Sequence, residues 1–344
     1  MVFPSTGDSV SLVWLLSLGL SVGILSGFFG VGGGFLVTGG LIVLGVPEFY
    51  AVGTGLALIT GSSTINALKH RKLGNVDFRL GLFMVLGSIP GVETAKRLLL
   101  YLETRGLEDE VIHYVYVVVL AGLGTFLLYD WLRSGRKQGG GDVAPPGPFV
   151  SRVRNFGLPP RVSLPVAGIP SMSIWVLVAL GFSIGLFAGL LGAGGGFLLM
   201  PALVFLLGIP TITAVGTDLF QVMITGSFGA FTYALEGKVD LLMALVMIVA
   251  ASIGSQVGTL ATRVVDGTRI RFLYALIVLA GSASLALDQA SEAAESVHFL
   301  STLAAVLLLG AAGTMCVCIA GFVVASRVRS GEEAVVVGGP TEQE

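Results

Sequence analysis

Two glycine runs in this sequence have the spacing of an anion-binding backbone. The first is GVGGG, at Gly30 to Gly34, and the second is GAGGG, at Gly192 to Gly196. Each run lies between two apolar stretches, so a helix restarting after it would point free N–H groups and its positive dipole end toward the glycines. Such helix starts bind anions, and glycine lets an oxyanion approach the backbone closely. The candidate donors are Gly32, Gly33, Gly34, Gly194, Gly195 and Gly196.

Hydroxyl and amide side chains a little further along the chain could add donors to this site. They are Thr54, Ser62, Ser63 and Asn66 in the first half and Thr217, Gln221 and Thr225 in the second. Ser and Thr in membrane helices commonly bond to their own backbone, so a structural role is the alternative for each hydroxyl. Thr54 and Thr217 are the stronger candidates because they recur at matching positions.

Asp218 stands alone among the apolar and small residues of its segment. A carboxylate within a membrane segment is a candidate for function, here for coupling transport to a proton or another cation. An equally simple interpretation is an acid in the first turns of a helix, complementing the helix dipole near the cytoplasmic surface. His70, His113 and His298 show no metal-ligand spacing, so we expect no metal and no cofactor.

The glycine runs belong to two copies of one unit. SVGILSGFFGVGGGFL, at Ser21 to Leu36, aligns with SIGLFAGLLGAGGGFL, at Ser183 to Leu198. After one inserted residue, two shorter motifs recur in the same order, AVGT at 51–54 and 214–217 and GxVD at 74–77 and 237–240. Self-similarity at a constant offset indicates a tandem duplication.

The composition places both copies in a membrane. Hydrophobic residues make up 54% of the chain and charged residues 12%, with a mean hydropathy of +0.92, which excludes a soluble catalytic domain and gives no support to nucleic-acid binding. The apolar pattern predicts five helical segments per copy and one extra span. Their bounds are about 11–29, 35–46, 51–68, 80–95 and 111–132, then 174–191, 197–208, 213–235, 241–262 and 270–287, with the extra span at 299–325.

The segment after each glycine run is too short for an ordinary crossing. Residues 35–46 would reach only about 18 Å against a hydrocarbon core of about 30 Å, so this segment either completes a broken helix or re-enters. Irregular backbone at membrane depth must be buried in protein or line a cavity. The alternative is that the glycines only permit close helix packing.

Loop charges predict how the copies face the membrane. Residues 133–173 are rich in Gly and Pro and carry several Arg and Lys, which indicates a cytoplasmic linker. The loop with Lys69, Arg71, Lys72 and Arg79 is basic, whereas its partner around Lys238 is not, so the two loops should face opposite sides. This requires an odd number of crossings per copy, an inverted repeat, with the N-terminus outside and the C-terminus cytoplasmic.

The same analysis divides the chain into four units. The predicted units are a first repeat at 1–132, the linker at 133–173, a second repeat with an extra helix at 174–326, and a cytoplasmic tail at 327–344.

The GxGGGFL, AVGT and GxVD motifs, in this order and twice over, resemble those of the sulfite exporter TauE/SafE family of anion permeases. The resemblance covers nearly all of the chain except the linker and the tail. It implies a prokaryotic cell-membrane carrier for sulfite or a small organosulfonate such as sulfoacetate. The chain departs from the family pattern at Gly39, where the second copy has the expected proline, Pro201, and at Gly55 and Asp218, where a small polar residue commonly follows AVGT.

We therefore expect an all-α polytopic membrane protein that is a secondary carrier and not an enzyme, with the two copies rocking to alternate access. Its partners would be a small sulfur-containing anion, the lipid bilayer and a coupling proton or cation. Two alternatives remain. An intramembrane enzyme acting on a lipid phosphate would need an acid or base beside a phosphate-binding Arg, and an anion channel would need no alternating gate.

Overall fold

The protein is a bundle of helices, as its apolar pattern predicts. The structure is a computed structural model that describes residues 11–31, 33–134, 148–154, 158–262, 265, 267–293 and 298–337. Within these ranges, seven helices are long and apolar enough to cross a membrane, and the one sheet is a two-stranded hairpin. The prediction of an all-α polytopic membrane protein is confirmed.

The two halves of the chain contain helices of similar length in the same order. The first half has α1 (Leu12–Phe29), α2 (Gly34–Val43), α3 (Glu48–Lys72), α4 (Phe78–Glu103) and α5 (Glu108–Ser134). Between the halves lie α6 (Pro148–Arg154) and the antiparallel strands β1 (Arg161–Leu164) and β2 (Ile169–Ser173). The second half has α7 (Ile174–Leu191), α8 (Gly196–Phe205), α9 (Thr211–Leu235), α10 (Leu241–Ala261), α11 (Gly267–Ala293) and α12 (His298–Val337).

Residues of the repeated motifs set several helix starts. Pro47 and Pro210 directly precede α3 and α9, where a residue without an N–H group costs no helical hydrogen bond. Asp77 caps α4 and Asp240 caps α10, and each carboxylate accepts a hydrogen bond from a backbone N–H of the first turn. Both caps satisfy donors that a helix start otherwise leaves free.

Two helices extend beyond their predicted ends. α4 continues past Pro90 to Glu103, and α12 continues to Val337, so the predicted tail begins as helix. Glu93, Lys96 and Arg97 interrupt the apolar pattern of α4, so the predicted segment ends near residue 95. Glu93 forms ion pairs with Lys96 and Arg97 at helical spacing, and Leu99 in the turns that follow is fully buried.

Small residues bring α1 against α10 and α4 against α7. An added Cβ at Gly23 would lie 2.1 Å from a carbonyl oxygen of α10, and one at Gly258 would lie 2.0 Å from a carbonyl oxygen of α1. The corresponding distances are 2.2 Å at Gly185 in α7 and 2.0 Å at Gly87 in α4. Lipid provides little hydrophobic drive for helix association, so such close contact is a main source of stability. Each half thus packs its first helix on the fourth helix of the other half.

The short helices α2 and α8 do not cross the membrane. Each has ten residues and reaches about 15 Å, half of the hydrocarbon core. Gly33 packs against Val22 and Gly40 packs against Leu18, so α2 runs back alongside α1. The segment after the first glycine run is therefore a short helix folded back on α1.

The linker contacts both halves, with α6 against the second half and the hairpin against the start of α4. Arg154 of α6 donates hydrogen bonds to Leu207 O from Nε (2.8 Å) and Nη2 (2.6 Å), in the turn after α8. In the hairpin, Ala167 N donates to Asp77 Oδ2 at 3.1 Å. The corresponding turn after α2, at Gly45 and its neighbours, instead lines a cavity of about 400 Å³.

We expect Gly258→Ala to destabilise the protein, because the new methyl group would overlap the backbone of α1. Overpacking of this kind costs about 1–3 kcal/mol and should lower the thermal unfolding midpoint of the detergent-solubilised protein. Gly313→Ala in α12 is the matched control, since an added Cβ there meets nothing within 4 Å. Equal unfolding midpoints for the two variants would show that this contact does not limit stability.

Candidate functional site

The two glycine runs lie back to back in the interior of the bundle. An added Cβ at Gly34 would lie 2.1 Å from Ala193 O, and one at Gly196 would lie 2.6 Å from Val31 O. Each break thus packs on the backbone of the other, and the glycines that flank them are buried. Gly32 lies outside the described residues. The structure brings the other five candidate glycines into one region.

Left-handed backbone at the breaks turns the chain into each short helix. Gly33 has φ of +72° and Gly195 has φ of +79°, and each occupies the position before its helix. The first backbone hydrogen bonds of α8 run from Leu198 N and Leu199 N to Gly195 O. In the described chain, the N–H groups of Gly196 and its successor have no acceptor, so the positive end of α8 faces the region between the breaks.

Two tyrosines hold the restarted helices in place. Tyr274 of α11 donates to Phe197 O at 2.7 Å, and Tyr116 of α5 donates to Phe35 O at 3.4 Å. Both rings are fully buried, so each phenol needs a partner inside the bundle. Sequence analysis missed these contacts. A tyrosine in the interior of an apolar span was the available signal, because the same residue at a membrane surface needs no internal acceptor.

Asp218 lies against the second break. Its side chain is fully buried, neither carboxylate oxygen has a hydrogen-bond partner, and Oδ1 lies 3.1 Å from the position of an added Cβ at Gly196. Asp218 is therefore a buried acid in the first turns of α9, and both of its predicted roles stay predictions. The matching residue Gly55 sits beside Thr38 Oγ1 and Gly192 O, at 2.6 and 3.0 Å from an added Cβ. The second half thus has a carboxyl group at this position, whereas in the first half Thr38 and Gly192 leave no space for one.

Thr54 and Thr217 join the two halves through reciprocal hydrogen bonds. Asp240 N donates to Thr54 Oγ1 at 3.0 Å, and Asp77 N donates to Thr217 Oγ1 at 3.0 Å. The threonine of each AVGT motif therefore accepts from the aspartate of the other half's GxVD motif. Both hydroxyls are buried and have this structural role, and each keeps its own hydrogen to donate.

The glycine of each AVGT motif lets the loop with the other half's GxVD motif approach closely. An added Cβ at Gly53 would lie 2.1 Å from Lys238 O, and one at Gly216 would lie 2.4 Å from Asn75 O. The start of α3 thus meets the loop after α9, and the start of α9 meets the loop after α3. These two contacts explain why the motifs recur as a pair.

The other predicted side chains form two separate polar clusters. In the first, Asn66 Nδ2 donates to Ser26 Oγ at 3.1 Å, and Thr259 Oγ1 donates to Asn66 Oδ1 at 3.3 Å, which connects α3 with α1 and α10. Ser62 Oγ donates to a carbonyl of its own helix, and Ser63 Oγ is buried without a partner.

The second cluster connects α9 with α4. Gln221 Nε2 donates to Thr225 Oγ1 at 2.8 Å, and the hydroxyls of Thr225 and Ser88 are 2.6 Å apart. These hydrogen bonds run within α9 and from α9 to α4, whereas those of Asn66 run to α1 and α10. The structure therefore does not gather all the predicted donors around one point.

The cavity beside the turn after α2 is a poor anion site. Its lining includes the acids Glu48, Asp109, Glu110 and Asp288, whose charges would repel an anion. His113 Nδ1 is 2.9 Å from Glu48 Oε1, and its Nε2 is 2.8 Å from Leu285 O. Within the described part of the chain, no three His, Cys, Asp or Glu side chains are grouped to hold a metal ion. The buried breaks remain the candidate site.

Comparison with known proteins agrees with a transporter. The sequence profile of the sulfite exporter TauE/SafE family matches residues 15–285. The probable membrane transporter protein YunE of Bacillus subtilis is 25% identical over 281 residues, which cover 78% of this chain and 95% of the relative. A probable membrane transporter protein of Xylella fastidiosa strain Temecula1 is 27% identical over 277 residues, covering 78% and 93%. No solved structure matches the chain significantly.

We expect Thr217→Val to destabilise the protein, because the valine leaves the buried Asp77 N–H without an acceptor. A buried unsatisfied donor costs about 1–3 kcal/mol, so the unfolding midpoint should fall and the Asp77 amide should exchange faster with deuterium. Thr217→Ser keeps the oxygen and should restore most of the loss. Thr64→Val is the control, since Thr64 Oγ1 bonds only to Thr60 O of its own helix. The assigned bond is refuted if both valine variants behave alike.

Proposed function

The chain belongs to the sulfite exporter TauE/SafE family, as its motifs predict, and we propose that it is a secondary carrier for sulfite or a small organosulfonate. The family and the seven apolar helices identify a multi-pass membrane transporter. The choice of a sulfur-containing anion rests on the family, and the chemistry of the site supports an anion.

The observation that carries this proposal is the burial of two glycine breaks against each other. Gly33, Gly34, Gly194, Gly195 and Gly196 bring backbone N–H groups close together in the buried interior of the bundle. Removing an anion from water costs several kcal/mol, and a hydrogen bond to a charged group returns roughly 1.5–3 kcal/mol. Three or four donors would therefore nearly balance the cost. Binding of that strength still permits release.

Side chains around the breaks would complete the site. Thr54 and Thr217 hold their loops in position and can each donate one hydroxyl hydrogen. Ser63 has a free hydroxyl close by on α3. Ser62, Asn66, Gln221 and Thr225 are already hydrogen-bonded within the bundle, so we assign them to holding the helices that surround the substrate.

We propose two rigid groups of helices, or bodies, that move relative to each other, and each body contains helices from both copies. Because α1 packs on α10 and α4 packs on α7, neither sequence copy forms a separate body. One body would contain α1, α2, α3 and α10, and the other α4, α7, α8 and α9. They meet along α3 and α9 and at the two breaks, so rocking about this contact would open the site to one side at a time.

We propose an inverted repeat with the N-terminus outside and the C-terminus in the cytoplasm. The start of α3 lies beside the loop after α9, and the start of α9 lies beside the loop after α3, so the two loops are at opposite ends of the bundle. The last turn of α3, at the end next to the loop that follows it, carries Lys69, Arg71 and Lys72, and positive residues concentrate on the cytoplasmic side.

Sulfite counterflow tests the proposed function. Proteoliposomes loaded with unlabelled sulfite should take up labelled sulfite faster than empty ones, with a rate that saturates. The trans-stimulation arises because a carrier returns faster when loaded. A rate that is linear in concentration and indifferent to internal sulfite would indicate a channel, and no sulfite-dependent uptake would reject the assignment.

The same assay tests the breaks as the binding site. Gly195→Ala should lower counterflow at least tenfold, because a Cβ there would meet Ile184 and shift the first N–H groups of α8. Gly237→Ala is the matched control. Gly237 also has positive φ, of +72°, but an added Cβ meets nothing within 4 Å, so the backbone strain is similar and the break is untouched. Similar rates for these two variants would remove the second break from the site.

Thiol labelling tests the orientation. In a background with Cys316 and Cys318 replaced by Ala, Gly237→Cys should react with a membrane-impermeant maleimide in intact cells. Gly74→Cys, at the matching loop, should react only after the cells are opened. Both positions have open space around them, so accessibility depends on the side of the membrane. Labelling of both from one side would contradict the inversion, and the reverse pattern would reverse the orientation.

A further inference from the structure

Asp218 is the one feature of the breaks that anion binding alone does not explain. Both of its carboxylate oxygens are buried and unpartnered, and Oδ1 points at the glycine that begins α8. Gln221 Oε1, three residues later on the same face of α9, is also buried without a partner. None of the ion pairs in the described chain involves Asp218. The region thus has acceptor oxygens that lack donors.

The ionised form of this carboxyl group conflicts with an anion site. A negative charge fixed at the start of α8 would repel a second negative charge strongly, because little water separates them. It would also compete for the free N–H groups of the break. The protonated form is neutral and has an O–H group to donate. Only the protonated form is compatible with an anion bound at the break.

We propose that Asp218 is the coupling site of this transporter and that it binds one proton for each anion carried. The proposal rests on the proposed function. A proton from the aqueous phase on one side joins a carboxylate oxygen of Asp218. The neutral carboxyl donates to an oxygen of the anion at the break, and the loaded protein changes its open side. After the anion leaves, the proton dissociates to the same side, so one proton and one anion move together.

Few other titratable groups face this carboxyl. α7 and α8 contain none, and those of α3 lie at its ends, at Glu48 and Tyr50 and from Lys69 onward. α4 has Asp77 and Arg79 at its start and its remaining charges from Glu93 onward, and the only other titratable group of α9 is Tyr233. Tyr274 of α11 interacts electrostatically with Asp218, and its O–H group is committed to Phe197 O.

The two halves differ in a way that gives a single coupling site. Gly55 occupies the position that matches Asp218, and the space beside it is filled by Thr38 Oγ1. The first break thus keeps a neutral surrounding in every protonation state.

Asp218→Asn tests the coupling, because the amide mimics the neutral carboxyl in shape and can donate but never ionises. The full-length protein and the variant are reconstituted for two assays, sulfite exchange at equal pH and sulfite uptake driven by an inside-alkaline gradient of about one unit. We expect the variant to retain measurable exchange at a reduced rate, because its amide can donate to the anion in place of the carboxyl group. The wild type should accumulate sulfite up to about tenfold, and the variant should lose this accumulation. Protein-free liposomes correct for uncatalysed passage.

Glu110→Gln is the control, since it removes an exposed acid far from the breaks and should behave as the wild type. Asp218→Ser provides a second uncharged side chain if the Asn variant does not fold. A wild type that exchanges sulfite without responding to the pH gradient overturns the coupling and leaves the carrier intact. Gradient-driven accumulation by a folded Asp218 variant overturns it too, as does loss of exchange in that variant. Absence of exchange in the wild type rejects the proposed function itself.

Discussion

Broken backbone inside a membrane must be hidden from lipid, and the rest of this fold depends on that constraint. Each glycine run leaves N–H and C=O groups outside any helix, and hydrocarbon offers them no partner. The protein meets the requirement by packing one break on the other, with Gly34 against Ala193 and Gly196 against Val31. Duplication makes this arrangement natural, because each copy provides the surface that buries the other. Tyr116 and Tyr274 then satisfy a carbonyl on the first turn of each short helix.

The contact between the breaks requires accurate placement of the surrounding helices, and the AVGT and GxVD motifs provide it. A glycine admits the opposite loop, a threonine accepts its backbone N–H, and an aspartate caps the next helix. The same three contacts occur in the other half, with the partners exchanged. These motif residues therefore add specific polar contacts to the packing of α1 on α10 and of α4 on α7, which also joins the halves. The remaining surface between α3 and α9 is free of ion pairs in the described chain, which is compatible with a contact that must reform in each cycle.

The sequence predicted the membrane class, the family and the position of each break, because apolar length and the glycine spacing are local signals. The bounds of α7 and α10 agree with the structure within one residue. The end of α4 was missed, since Glu93, Lys96 and Arg97 interrupt its apolar pattern. Their ion pairs continue the helix. The roles of Thr54 and Thr217 depend on residues 186 and 140 positions away, so no local pattern could separate a structural hydroxyl from one that binds substrate. The same holds for Asp218, whose isolation is a property of packing. The hairpin in the linker was not predicted, because its Gly and Pro residues are equally typical of an unstructured loop.

The hydrogen bonds from Arg154 to Leu207 O have a consequence for the relative free energies of the two open states. If the two halves of the inverted repeat that we propose were identical, a two-fold rotation would convert the inward-open state into the outward-open state. The two states would then have equal free energy. Arg154 binds the turn after α8, and the turn after α2 receives no such contact from the described chain. Any part of this contact that is lost in one state tilts the equilibrium toward the other. A hydrogen bond from a charged group contributes about 1.5–3 kcal/mol, and about 1.4 kcal/mol already changes a population ratio tenfold. In the carrier that we propose, this contact in the segment between the two copies would therefore favour one of the two open states.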